Sequence, residues 1–254
     1  MSSLALAAIV AAALLAVVHI VTPLLHFLKG TPRSAWLSIA GGVSVAYVFV
    51  HLLPELAEGQ KTVGRIAGGE LFAERHVYLI ALVGLAVFYG LDRLAKSSRS
   101  EREGAPVRSG RGNEAAAAST SPAVFWIHIG SFAIYNALIG YLLLHREVTT
   151  LGALVFFTVA MALHFMVTDY GLNEDHKAAY RRIGRWVLVG AVLVGLAIGF
   201  VTEISKAAVA VLVAFLAGGV ILNVLKEEVP SERQSRFWAF ALGTAGYAAL
   251  LLTL

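Results

Sequence analysis

The sequence predicts an all-α polytopic membrane protein of eight transmembrane helices, and three observations carry that prediction. The chain of 254 residues is 58% hydrophobic and 14% charged, whereas soluble domains are about half apolar and a quarter charged. With a mean hydropathy of +0.77 it has too little polar surface to cover a globule, so lipid is the expected solvent. Eight apolar runs approach the roughly 20 residues that cross a hydrocarbon core of about 30 Å. They span Leu4–Leu28, Ala35–Leu56, Val77–Leu94, Pro122–Leu144, Leu151–Tyr170, Ile183–Val201, Ala207–Leu225 and Phe237–Leu254. The third observation is the alternation of charge between the connecting loops.

With both termini outside, the cytoplasmic loops hold Lys29, Arg33, Arg93, Lys96, Arg99, Arg102, Arg108, Arg111, Lys177, Arg181, Arg182, Arg185, Lys226, Arg233 and Arg236. The outer loops hold only Lys61, Arg65, Arg75, Arg146 and Lys206. This excess of basic residues on one side fixes orientation in a plasma or inner membrane. It also accounts for the basic pI without nucleic acid as a partner. The absence of cysteine excludes disulfides, Cys-ligated zinc and thiol catalysis.

Taken in order, the first run has no Lys or Arg before it and is too long for a signal-peptide core, so it reads as a retained helix. The second ends in "HLLPEL" (His51–Leu56), where Pro54 is expected to end or kink the helix. His51 and Glu55, four residues apart on one helical face, are candidates for a pathway entrance that attracts cations. After the third run, residues 95–122 are rich in Ser, Gly, Arg and Ala and contain no aromatic side chain. Such a segment buries too little apolar area to order itself and reads as a flexible cytoplasmic linker within one transmembrane domain spanning 1–254. The fourth and fifth runs carry the polar chemistry. The sixth offers no carboxylate. The seventh holds "GGVILNVLKEEVPSE" (Gly218–Glu232), which echoes "GGVSVAYVFVHLLPE" (Gly41–Glu55). The two segments run in opposite directions across the membrane, the pattern of an inverted repeat.

Charged groups deep in lipid cost roughly 2.5–3.5 kcal/mol and should face a partner or a cavity. His128, Ser131, Tyr135 and Asn136 fall at i, i+3, i+7 and i+8, one stripe of helix four. Met161, His164 and Thr168 repeat that spacing on helix five, with Asp169 one step round. A short loop joins the two helices, so they are expected to pack antiparallel with their stripes facing. Imidazole and oxygen donors suit Zn²⁺ and similar divalent ions, which makes His164, Asn136, Asp169 and His128 the candidate metal ligands. Each also has a structural reading, as a hydrogen-bonding group between helices.

The eight helices, outward termini, long third loop, "HLLPEL" and "AGGVILNVLKEEVP" (Ala217–Pro230) together resemble the ZIP (Zrt-, Irt-like) divalent metal transporters. The resemblance implies a 3+2+3 bundle with metal held between helices four and five. It implies a zinc-like ion as cargo, with no permanently bound cofactor. The family pattern His-Asn-x-Pro-Glu-Gly meets "YNALIG" (Tyr135–Gly140) here, keeping only Asn136 and Gly140. The pattern His-x-x-Pro-Glu meets "HFMVT" (His164–Thr168), keeping only His164. Two carboxylates and an imidazole are missing, so the implied site is weakened. The expected activity is transport rather than enzymatic catalysis; expected partners are lipid, the divalent ion and a second copy of the chain. A fold relative serving as sensor, scaffold or partner subunit is the alternative. A metal-dependent lipid hydrolase would need His19, His128 and His164 to converge.

Overall fold

The computed structural model describes residues 3–25, 35–67, 75–103, 121–145, 150–228 and 236–252. Regular structure among them is helical throughout. The elements are α1 (Ser3–Val21), α2 (Ala35–Tyr47), α3 (Leu53–Ala67), α4 (His76–Glu103), α5 (Pro122–Leu142), α6 (Leu151–Ala179), α7 (Arg185–Val201), α8 (Lys206–Asn223) and α9 (Phe237–Leu251). Among the described residues, six helical stretches are long and apolar enough to cross a membrane: Ser3–Leu24, Ala35–Gly64, His76–Leu94, Pro122–Leu142, Leu151–Val201 and Lys206–Lys226. Helix α9 is apolar but shorter. Large side chains such as Leu6, Leu14, Leu82, Ile134 and Trp238 point outward. So much exposed apolar surface is what lipid contact requires, and the chain is an integral membrane protein.

Three boundaries differ from the sequence reading. Pro54 does not end the second helix. A π turn at Val48–Leu52 precedes it, and the Leu53 N–H bonds back five residues to the Val48 carbonyl. The helix then continues to Ala67, because this wider turn absorbs the hydrogen bond that proline cannot donate. Likewise α4 runs on to Glu103, into the segment read as linker; residues 104–120 lie outside the described residues.

The expected loop between Tyr170 and Ile183 is also helical. Its sequence, "GLNEDHKAAYRRI", is dominated by good helix formers. A straight helix of the 51 residues Leu151–Val201 would be roughly 75 Å long, over twice the hydrocarbon core. The chain instead breaks at Lys177, whose φ of 43° and ψ of −111° are non-helical. A π turn at Tyr180–Gly184 then leads into α7.

The helices pair selectively: α2 lies along α9, α4 along α8, and α5 along α7, while α1 contacts both α6 and α7. Glycine permits the closest of these approaches. A Cβ added at Gly140 would overlap the Val192 carbonyl, and one at Gly195 the Ala137 carbonyl, so α5 and α7 touch backbone to backbone. Gly42 with Gly243 serves α2 and α9 in the same way, and Gly84 with Gly218 serves α4 and α8. In lipid, where apolar transfer gives helices no reason to associate, such contact supplies dispersion energy.

Helices α5 and α6 do not form the close antiparallel pair expected from their short connection. α5 lies on α7, and α6 sits centrally against α1 and α2.

Gly195→Ala should therefore destabilise the protein by about 1–3 kcal/mol through overpacking. Gly190→Ala, whose Cβ would meet nothing within 4 Å, should be neutral or stabilising by up to about 1 kcal/mol. Unfolding of both variants in detergent checks the contrast.

Candidate functional site

Helix α1 contains one ionisable side chain, His19, and it is fully buried. Its Nδ1 lies 3.0 and 2.8 Å from the two Asp169 carboxylate oxygens on α6. Its Nε2 lies 2.8 Å from Asn136 Oδ1 on α5. The Asn136 amide nitrogen donates to the Phe132 carbonyl at 2.7 Å, which fixes the amide oxygen toward His19. That oxygen can only accept, so Nε2 must donate. Between Nδ1 and the carboxylate one further proton is shared. Imidazolium with carboxylate and imidazole with carboxylic acid both satisfy this arrangement, and both leave the pair with no net charge. Neutrality is what a low-dielectric surrounding favours.

The same network closes on its neighbours. Arg185 Nη1 donates to the Ile20 carbonyl at 3.3 Å, and Phe165 stacks on the His19 ring at 4.6 Å. The buried Tyr180 hydroxyl lies beside the Asp169 carboxylate, with Arg185 also nearby. One imidazole thus ties α1, α5 and α6 together where α5 and α6 do not pack closely themselves.

The candidate ligands fall into three neighbourhoods. Asn136 and Asp169 meet through His19. His164, 1% exposed, faces the Tyr135 ring at 6.0 Å. His128 Nδ1 lies 2.9 Å from His176 Nε2. The three histidines a hydrolase would require are thereby in separate places. Among the described residues no three His, Cys, Asp or Glu side chains assemble as a metal-holding group.

Two cavities lie in series along α5 and α6. A groove of about 250 Å³ is lined by Tyr135, Ile139 and Leu142 of α5 and by Ala153, Phe157 and Met161 of α6. His51, Glu55 and Glu58 sit on its rim, with His51 Nε2 4.0 Å from Glu55. A smaller cavity of about 30 Å³ is lined by His128 and Phe132 of α5 and by Thr168, Leu172 and Asp175 of α6. Asp92 and Lys226 complete it as an ion pair between α4 and the π turn that follows α8. Its volume is about that of one water.

From Met161 to Thr168 is roughly 10 Å along the helix. The barrier in between is aromatic: Phe132 lies 6.3 Å from Tyr135, Phe88 5.9 Å from Phe132, and Phe165 6.4 Å from Tyr135. Tyr135 and Ile139 line the groove with phenolic and apolar surface.

His51 and Glu55 therefore adjoin a cavity. The role of His19 was not read from the sequence, although a single ionisable group in an otherwise apolar span is the signal that marks it. His176, Asp92 and Lys226 carried no such mark, because they sit in stretches rich in polar residues. No protein-family model, curated protein or solved structure matches the chain.

His19→Leu leaves the Asp169 carboxylate buried without its partner and should cost about 3–5 kcal/mol. The double variant His19→Leu/Asp169→Leu should recover most of that loss. Asp169→Asn should be mild, because its amide can donate to a neutral imidazole. Unfolding of the purified protein checks all three; equal losses in the single and double variants would contradict the pairing.

Proposed function

We propose that the chain is a membrane transporter of ZIP-like layout that carries a divalent cation such as zinc along α5 and α6. On this reading it has eight spans in a 3+2+3 arrangement, with both termini outside a plasma or inner membrane. The observation that carries the reading is the pair of cavities in series on the same two helices, closed between them by aromatic side chains over roughly 10 Å, about two turns of α6. A route with two chambers and a thin barrier is what alternating access needs. The groove with His51, Glu55 and Glu58 is then the outer chamber, and the cavity with Asp92 and Asp175 the inner one.

The helix pairing adds support for an inverted repeat. Exchanging the first three helices with the last three, and the fourth with the fifth, converts the α2–α9 pair into α8–α4. The same exchange converts α5–α7 into α6–α1. The Gly41–Glu55 and Gly218–Glu232 segments also share a sequel, since a π turn follows the paired glycines in each. Met161 and His164 offer donors near the barrier, and a site so poor in carboxylate would hold a dication weakly.

A second reading is favoured by one observation: Asn136 and Asp169, half of the candidate ligands, already satisfy each other through His19. A ZIP-like relative that binds no metal and acts as a sensor, scaffold or partner subunit would have the same network.

Flux into dye-loaded proteoliposomes separates the two. Transport predicts uptake of zinc, manganese or iron(II) above empty liposomes, and a fall of about tenfold, or roughly 1.4 kcal/mol of barrier, in His164→Ala. Background flux from the folded wild type, with no metal bound in calorimetry, would leave the second reading standing.

A further inference from the structure

The walls of the groove of about 250 Å³ are more apolar than a metal route requires. Tyr47, Phe157 and Tyr135 present three rings to it, with Tyr47 edge-on to Phe157 at 6.4 Å. Aliphatic side chains such as Leu142 and Val220 make up most of the remainder. The carboxylates on its rim are Glu55 and Glu58, and no Lys or Arg lines it among the described residues. Glu58 is exposed and pairs with Lys61 at 2.6 Å. Glu55, half-buried beside His51, is the less exposed of the two carboxylates.

Charge density decides what such a space accepts. A compact dication keeps to the acidic edge of such a space, with its waters and the carboxylates, because aliphatic walls offer nothing in place of hydration. An alkylated ammonium spreads one charge over several carbons. It can lay an apolar body on the walls and present its charge to ring faces and a carboxylate. The volume of about 250 Å³ equals roughly eight waters, the scale of a small organic molecule.

We propose that this groove is a binding site for an organic monocation, a quaternary or alkylated ammonium with an apolar body. The inference rests on reading the groove as the outer chamber of the route and names a further class of cation for it, but its test needs no flux. The competing occupant is the acyl chain of a lipid, which would use the same walls and ignore the rim.

The test is equilibrium dialysis of the full chain in nanodiscs, with empty nanodiscs subtracted. The probes are benzyltrimethylammonium and its uncharged isostere neopentylbenzene. The charged probe should bind at least about tenfold more tightly than the neutral one. Glu55→Gln and Phe157→Leu should each weaken the charged probe by about tenfold and leave the neutral one unchanged. Glu55 is partly solvated, so its variant should unfold at the wild-type temperature and report on binding rather than on folding. Equal retention of both probes would identify an apolar cleft for acyl chains and overturn the proposal. Retention of neither, or charged-probe binding indifferent to both substitutions, would overturn it as well. Cation binding without metal flux would remove the transport reading alone; metal flux without cation binding would remove this inference alone.

Discussion

The structure depends on one buried imidazole. Helices α5 and α6 carry most of the polar side chains within the bundle, yet each finds its close backbone partner elsewhere, α5 on α7 and α6 on α1 and α2. His19 spans the interval, with a nitrogen toward Asn136 and the other toward Asp169. In lipid there is no water to substitute for either partner, so the three groups are bound to one another by the cost of separating them. Because the pair is neutral as a unit, it sits deep in the bundle without an uncompensated charge.

With α5 and α6 held at this distance, the space between them and their neighbours holds cavities at two levels. The Asn136 side chain turns toward α1, which leaves adjacent Tyr135 facing α6 and the groove. A helix places successive side chains about 100° apart, so these two residues divide the labour: one anchors and the other closes. Phe132, one turn earlier, belongs to the opposite cavity and stacks its edge toward Tyr135. The same turn of α5 therefore separates the two chambers and, through the Phe132 carbonyl, is hydrogen-bonded to the anchor.

Much of the architecture was legible in the sequence because lipid imposes simple rules. Runs of apolar residues marked every stretch that is long and apolar enough to span, though not α3, and the glycines that allow close crossing stood out within them. The facing of the polar stripes was legible in part: Tyr135 does meet His164, and Asn136 does share a network with Asp169. What periodicity could not supply was the third helix between them, since His19 lies over a hundred residues away in sequence. Nor does proline's usual effect on a helix foresee that a π turn would absorb Pro54. The stretch before Arg185 looks like a loop by its charges, yet its helix formers keep it helical on either side of a break at Lys177.

The central claim is that the two cavities open to opposite sides and are sealed from each other by the aromatic turn. The native chain has no cysteine, so single substitutions can be read without background. Met161→Cys lies in the groove and Thr168→Cys in the smaller cavity. In oriented membranes, a small impermeant thiol reagent should label the first only from the outside and the second only from the cytoplasmic side. Labelling of both positions from the same side would contradict the account.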